Sequence, residues 1–258
     1  MRVDVWSDPV CPWCWIGKHR FRRALELLGD DAPPVELHWH PFQLDPDAGT
    51  EPVPLRDAYA ARFGGPEPTA QLLARTQATA RAEGLPMDFD RGQVRVTTLP
   101  AHRLMWLAAR EGDAQAVAEA LFRAHFVHGR NLAQADALAE AGAAGGLAPG
   151  RVRAMLASDE GLGEVRARLA QARAMGHPGG ADLRGRRPPR GAGRATAGGV
   201  RPVAAAGHGR GRAAAGTRPR RRRLRAGRRL PRLTVHAASA TMPAARGPRA
   251  TRSSPACS

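Results

Sequence analysis

Cys11 and Cys14 stand three apart in WSDPVCPWCWIGK, residues 6–18, around Pro12 and Trp13. Two thiols one helical turn apart can act as a redox dithiol, supply half of a metal site, or lie as inert buried neighbours. Structural zinc takes four ligands and a lone CxxC offers two. His19 is close in sequence, but no second CxxC or HxxxH follows. The dithiol reading requires Cys11 exposed at a helix N-terminus, where free N–H groups and the helix dipole favour a thiolate. It requires Cys14 one turn below, placed to attack a mixed disulfide and release the substrate. Pro12 suits the first helical position, because its missing N–H is not needed there. Trp13 is bulky and uncharged, so only mild thiolate stabilisation is expected at Cys11.

The elements around the pair occur in the order this chemistry needs. Residues 2–6, RVDVW, alternate as a strand does, and SDP breaks the pattern. A helix is expected from Pro12, with Phe21, Ala24, Leu25 and Leu28 on one face and Gly29 at its end. In VELHWHPF, residues 35–42, Val35, Leu37 and Trp39 point one way and Glu36, His38 and His40 the other, with Pro41 closing the strand. A crossover helix between two strands implies that they are parallel. His38 and His40 share a face two residues apart, as metal ligands could, but partnered sheet histidines fit them better.

The middle of the chain reads as helical. LRDAYAARFG, TAQLLARTQATARAEG and AHRLMWLAAREG each end in glycine. DAQAVAEALFRAHFVHG and NLAQADALAEAGAAGG continue the pattern, and RVRAMLASDEGLGEVRARLAQARAMG closes in a strong helix near Gly176. His125 and His128, at a helix end, are explained by contacts with the C-terminal dipole. A sheet begun in residues 1–42 needs further strands after Gly176, and none is legible there.

The totals average two unlike segments. Of 40 Lys+Arg and 23 Asp+Glu, residues 177–258 hold 20 Arg, no Lys and one acid, Asp182, while every aromatic lies at or before Phe126. Residues 1–176 read as an ordinary globular segment, whereas the basic remainder cannot bury enough apolar surface to offset its ordering entropy. The N-terminus lacks the pattern of a signal peptide and no apolar run reaches the length of a membrane span. These features favour a cytoplasmic protein with reduced thiols, in which a CxxC is catalytic or metal-binding rather than structural.

SDPVCPWCWIGKHRF resembles the active-site segment of the thioredoxin-fold DsbA family, in its cytoplasmic FrnE-like branch. That branch is related to the 2-hydroxychromene-2-carboxylate isomerases and kappa-class glutathione transferases. HWHPFQLDP, AARFG, the EGLPMDFDR run, TLPAHRLMWLA, LFRAHFVHGRNL and LASDEGLGEVR carry the same resemblance, which covers residues 2 to about 176. It implies an α/β thioredoxin-like fold with a large all-helical insertion. Residues 1–45 would form the first half of the thioredoxin-like domain, 46–160 the insertion, and 161–176 a helix returning to the domain. It also implies that Cys11 is the nucleophile of a thiol–disulfide oxidoreductase and Cys14 its resolving cysteine. Asp8, otherwise a helix-cap candidate, and His102 are expected along the substrate groove. No bound cofactor or metal is implied, with glutathione or another low-molecular-weight thiol as redox partner. Protein or small-molecule thiols and disulfides are the implied substrates, and a homodimer is admitted. The isomerases and transferases usually have serine where Cys11 stands, so a glutathione-dependent isomerase or transferase is the second reading.

The resemblance stops after Gly176. The family pattern there runs roughly G-[IV]-x-G-V-P-T-F, with the cis-proline that faces the dithiol, followed by two strands and a helix. This chain reads GHPGGADLRGRRPPRGAGRATAGGV. Codons for that stretch, regrouped as if one extra base had entered near Gly176, can encode GIPGVPTFVVDGRHAVQGAQPPAE. Residues 177–258 are therefore expected to be out of frame and disordered, with the C-terminal part of the thioredoxin fold missing and one edge of the initial sheet unpaired. Nucleic-acid binding through the basic tail is the alternative, disfavoured because no aromatics interleave with its arginines.

Overall fold

The structure, a computed structural model, describes residues 1–32 and 34–175 and the backbone of 232–236. β1 (Arg2–Ser7) leads through a turn into α1 (Pro12–Leu28), and a short 3-10 turn, Gly29–Asp31, leads on to β2 (Glu36–Pro41). β1 and β2 are parallel, with Val3 opposite Leu37 and Val5 opposite Trp39. The two strands and the crossover helix are thus realised as the pattern requires, although burial does not alternate along either strand. Gly29 ends α1 at a positive φ of 55°. The apolar stripe of α1 is less buried than its spacing suggests. Only Cys14, Trp15 and Ile16 of that helix are buried, while Leu27 is 83% and Leu28 53% exposed.

β3 (Val53–Pro54) and β4 (Val94–Arg95) form a two-residue antiparallel pair that no sequence pattern announces. Between them lie α2 (Leu55–Phe63) and α3 (Pro66–Ala82). α4 (Leu99–Glu111), α5 (Ala114–Phe126) and α6 (Ala135–Ala143) follow, matching the expected helices. The final helical run is broken in two, α7 (Pro149–Leu156) and α8 (Leu162–Ala174). The break is set by a contact from another helix. Gly161 takes φ +72°, and a Cβ there would stand 2.6 Å from the Trp106 ring.

The same break is held by Arg103 of α4, which is buried. Its guanidinium donates to the carbonyls of Met155, Leu156, Ser158 and Glu160. Among the described residues no carboxylate shares these bonds, so the arginine acts as the cap of α7. Arg103→Met removes every donor and leaves the carbonyls facing an apolar stem. An expected loss on the order of 3 kcal/mol follows from buried acceptors left unpaired, measurable as a fall in the urea midpoint.

β5 (Arg232–His236) lies within the basic segment, where no strand is expected. Its backbone pairs parallel to β1 on the side away from β2, giving the order β2-β1-β5. The edge of β1 expected to stand open is therefore occupied by this strand. The rest of 177–258, including the altered cis-proline segment and Cys257, lies outside the described residues. So does the question of its reading frame.

Two apolar clusters organise the described part. One joins Cys11, Cys14, Trp15 and Ile16 to Leu55, Leu73, Ala80, Leu85, Met87, Phe89, Phe122 and Phe126. The other fills the space among α4, α5, α6 and α7 around Leu104, Leu107, Leu121, Leu138 and Met155. α5 contributes to both, so the helical stretch and the dithiol helix share a continuous wall. Among the described residues, no helix is long and apolar enough to cross a membrane.

Candidate active site

Strand β1 ends at Ser7, and the chain turns back on itself before α1. The Cys11 amide donates to the Asp8 carbonyl at 2.9 Å, closing the turn. Cys11 is the N-cap residue of α1, with Pro12 in the first turn as expected. Its carbonyl accepts from the amides of Cys14 (3.1 Å) and Trp15 (3.4 Å), which begins the helix and sets the two sulfurs one turn apart. Trp15 anchors this turn from below. Its ring stacks on Phe122 and Phe126 at 6.1 and 5.8 Å, and its indole N–H reaches Glu119 at 3.1 Å. Lys18 pairs with the same carboxylate at 2.6 Å. The dithiol helix is thereby fixed to α5.

Both cysteines are free thiols, and both are buried: Cys11 is 1% exposed and Cys14 6%. The exposed Cys11 expected from the motif is not what the fold presents. The two sulfurs hydrogen-bond to each other, so they ionise as a pair. That mutual bond lowers the pKa of Cys14, which also receives the Ser7 hydroxyl and the Asp8 backbone N–H. The same bond, together with burial, pushes Cys11 well up, against one compensating backbone N–H from Cys14. In this closed arrangement the first thiolate therefore rests on Cys14. The mild stabilisation expected at Cys11 is reversed because three donors converge on Cys14 and only one on Cys11.

Asp8 does not cap the helix, while His102 helps to line a cavity of about 250 Å³ together with Ser7, Pro9, Trp39 and Phe122. The Asp8 and His102 side chains are buried, and they face each other with His102 Nε2 3.8 Å from Asp8 Oδ1. Asp8 Oδ2 accepts from the Leu44 amide at 2.9 Å, while Val10 N–H and the Thr98 hydroxyl also serve the carboxyl. Burial outweighs these bonds and raises the Asp8 pKa to about 7. Burial likewise lowers that of His102 to about 4, against a bond to the Phe42 carbonyl. His102 therefore donates one ring N–H to Phe42 and presents the bare lone pair of Nε2 toward Asp8. Neither facing atom has another partner among the described residues. A protonated Asp8 and a neutral His102 are complementary donor and acceptor across that gap.

The other histidines have structural settings. His40 binds Asp4 at 2.8 Å and stacks on Trp6, and His38 pairs with Glu36 at 2.8 Å. His125 is buried and its pKa is lowered to about 4 by burial, so it is neutral rather than the dipole-stabilised cation expected at a helix end. Among the described residues, no group of three or more His, Cys, Asp or Glu is placed to hold a metal ion. Trp13 is half-buried beside the dithiol cluster, as are Leu44 and Tyr59. No sequence signal points to Tyr59, whose setting in LRDAYAARFG is that of any aromatic on a helix. Ser7 is equally silent, although it sits four residues before Cys11.

The profile of the DSBA-like thioredoxin domain matches residues 2–179. A crystal structure of a probable DsbA oxidoreductase from Streptomyces coelicolor is similar, at 33% identity and TM-score 0.64, over 71% of this chain and 79% of that one. The cytosolic disulfide reductase DsbM from Pseudomonas aeruginosa aligns at 21% identity and TM-score 0.46, over 68% of this chain and 78% of that one. Among curated proteins, the uncharacterized protein YwbO of Bacillus subtilis is 31% identical over 90 residues. That match spans only 35% of this chain and 38% of the relative.

Proposed function

Because the chain belongs to the DSBA-like thioredoxin domain family, we propose that it exchanges thiols and disulfides through Cys11 and Cys14. The observation that carries this reading is the placement of two free, mutually hydrogen-bonded sulfurs at the N-terminus of the helix that follows β1. Cys11 passes its proton to Cys14 along their mutual hydrogen bond and, as a thiolate, attacks one sulfur of a substrate disulfide. A bond forms between the two sulfurs, the substrate S–S bond breaks, and its second sulfur leaves as a thiolate that takes up a proton. The Cys14 thiolate then attacks the Cys11 sulfur, forms the Cys11–Cys14 disulfide and expels the remaining substrate thiolate. The substrate gains the two electrons the dithiol loses. A low-molecular-weight thiol such as glutathione restores the dithiol by the reverse sequence.

The surroundings suit these steps. Once Cys11 is held in the mixed disulfide its S–H bond to Cys14 is gone, and the Ser7 hydroxyl and the Asp8 backbone N–H remain to favour the Cys14 thiolate. Asp8 lends its backbone N–H to that sulfur, and its carboxyl, with a pKa near 7, exchanges protons close to neutral pH. The test is dithiothreitol-driven reduction of insulin, followed by turbidity. The protein is expected to shorten the lag, and the double variant Cys11→Ser/Cys14→Ser to leave it at the uncatalysed value. Equal lags with both proteins would sink the reading.

A further inference from the structure

The cavity of about 250 Å³ that His102 helps to line is walled by β2 and by the helices α4, α5 and α8. β2 is an outer strand of the sheet, and its consecutive residues 38–41 all reach the cavity. Met105 and Trp106 of α4, Leu121 and Phe122 of α5 and Val165 of α8 make most of the remaining wall apolar. A cavity of about 150 Å³ lined by such side chains holds benzene. The volume here therefore admits a substituted ring or a short aliphatic chain.

Three ring nitrogens of the lining are buried without a hydrogen bond among the described residues: His38 Nε2, Trp39 Nε1 and His102 Nε2. His38 Nε2 stands 2.8 Å from Glu36, and His102 Nε2 faces Asp8. The Trp39 indole N–H has no such group before it, whereas the indole of Trp106, on the same cavity, donates to Glu164 at 2.8 Å. A buried N–H left without an acceptor is costly, and in a cavity wall it fits an acceptor carried by an occupant. The charge of the lining narrows that acceptor. It holds Arg110 and Arg168 but no Asp or Glu. Arg110 is engaged, 3.5 Å from Glu164 and 4.7 Å above the Trp106 ring. Arg168 has no carboxylate partner among the described residues. Trp39 and Arg168 also line the neighbouring cavity of about 790 Å³, so both stand on the border between the two.

We propose that this cavity binds a small monocarboxylic acid, its apolar body among Trp106, Leu121 and Phe122 and its carboxylate at the border. There the carboxylate accepts from the Trp39 indole N–H and is balanced by Arg168. Aliphatic and aromatic acids share this chemistry. Neither Cys11 nor Cys14 lines the cavity, so the site goes beyond the dithiol reading and does not depend on it.

The test is isothermal titration calorimetry of the full chain with hexanoate and benzoate, beside acetate, hexanol and hexylamine. Acetate gauges attraction to the 20 arginines of residues 177–258, which needs no apolar body. The tighter of hexanoate and benzoate is expected to bind roughly tenfold or more above acetate, the alcohol and the amine, through the apolar surface it buries and the charge it carries. Hexanoate ahead of benzoate identifies an aliphatic occupant, and the reverse an aromatic one. Trp39→Phe keeps a ring and removes the N–H. It should weaken the preferred acid roughly tenfold, the scale of one hydrogen bond to a charged acceptor. Arg168→Gln should weaken it too and flatten its loss of affinity with added salt. Arg168 is exposed, so this variant carries the test should Trp39→Phe disturb the fold, as read by far-UV circular dichroism. Three results overturn the site: acids bound no more tightly than acetate, hexanol or hexylamine bound as well as the preferred acid, or full affinity kept in both folded variants.

Discussion

Cys14→Ser is expected to halt exchange after its first step, leaving the protein bound to its substrate through a disulfide at Cys11. The first attack uses only Cys11. The second needs a sulfur one helical turn away, and serine cannot supply it at neutral pH. Resolution then falls to an external thiol at millimolar concentration. Well-placed intramolecular groups reach effective molarities of ~10⁵ M and above. Even a small part of that advantage, lost with Cys14, predicts turnover falling by about a thousandfold. In a Cys257→Ser background, intact-mass spectrometry after mixing with 2-hydroxyethyl disulfide should show one mercaptoethanol adduct on Cys14→Ser and none on Cys11→Ser. An adduct on Cys11→Ser would exchange the roles of the two cysteines. That control matters because the closed structure puts the lower pKa on Cys14. If Cys14→Ser instead turned over a glutathione-dependent isomerisation at full rate, the isomerase reading would replace the dithiol one.

The core of this site was legible because its chemistry is local. A strand, a polar turn, C-P-W-C and an amphipathic helix specify the N-cap position of Cys11 and the depth of Cys14 without any long-range information. The parallel pairing of β1 and β2 followed from the length of the crossover between them. What the sequence hid was contact at a distance. Asp8 and His102 lie 94 residues apart and meet only because α4 packs beneath the turn. Tyr59 looks like any aromatic on a short helix until it is seen packed against the apolar cluster that holds the dithiol. Cys11 belongs to the same cluster, whose other members come from elements distant in sequence, so exposure inferred from the motif alone was wrong. The split between α7 and α8 was similarly non-local. Helix periodicity runs straight through Ser158–Gly161, and the break depends on Trp106 and Arg103 from another helix. β5 was hidden for a different reason: its RLTVH run is too short to stand out from an arginine-rich background.

Asp8→Asn is expected to make the protein more stable at pH 8 and to leave it nearly unchanged at pH 4. The Asp8 pKa is raised from 3.8 to about 7, with burial as the main cause. An acid whose folded pKa is raised contributes stability that is complete below its unfolded pKa and is lost as pH climbs through the folded one. For Asp8 that window runs from 3.8 to about 7. A rise of that size corresponds to about 4 kcal/mol of penalty once the carboxylate has formed. Asparagine has the same shape and can still accept from the Leu44 amide. Its NH₂ can donate to the bare Nε2 of His102, and it never ionises. The variant should therefore gain several kcal/mol at pH 8, read as a higher urea midpoint. His102 and His125 act in the opposite direction, because their lowered pKa values make stability fall as pH drops from 6.5 to about 4. In the wild-type protein these opposing contributions overlap and flatten the profile across that interval. Removing Asp8 should uncover a steep rise in stability between about pH 4 and 6.5 that belongs to the histidines. A gain of equal size at pH 4 and pH 8 would show that Asp8 is charged, or hydrogen-bonded as an acid, to the same degree at both, and would rule out the buried proton-holding pair. The same variant should slow resolution of the Cys11 mixed disulfide near neutral pH, since the carboxyl that trades protons beside Cys14 is gone. Stability gained at the expense of exchange is the combination that a proton-holding acid under a dithiol predicts, and a purely structural aspartate would not produce it.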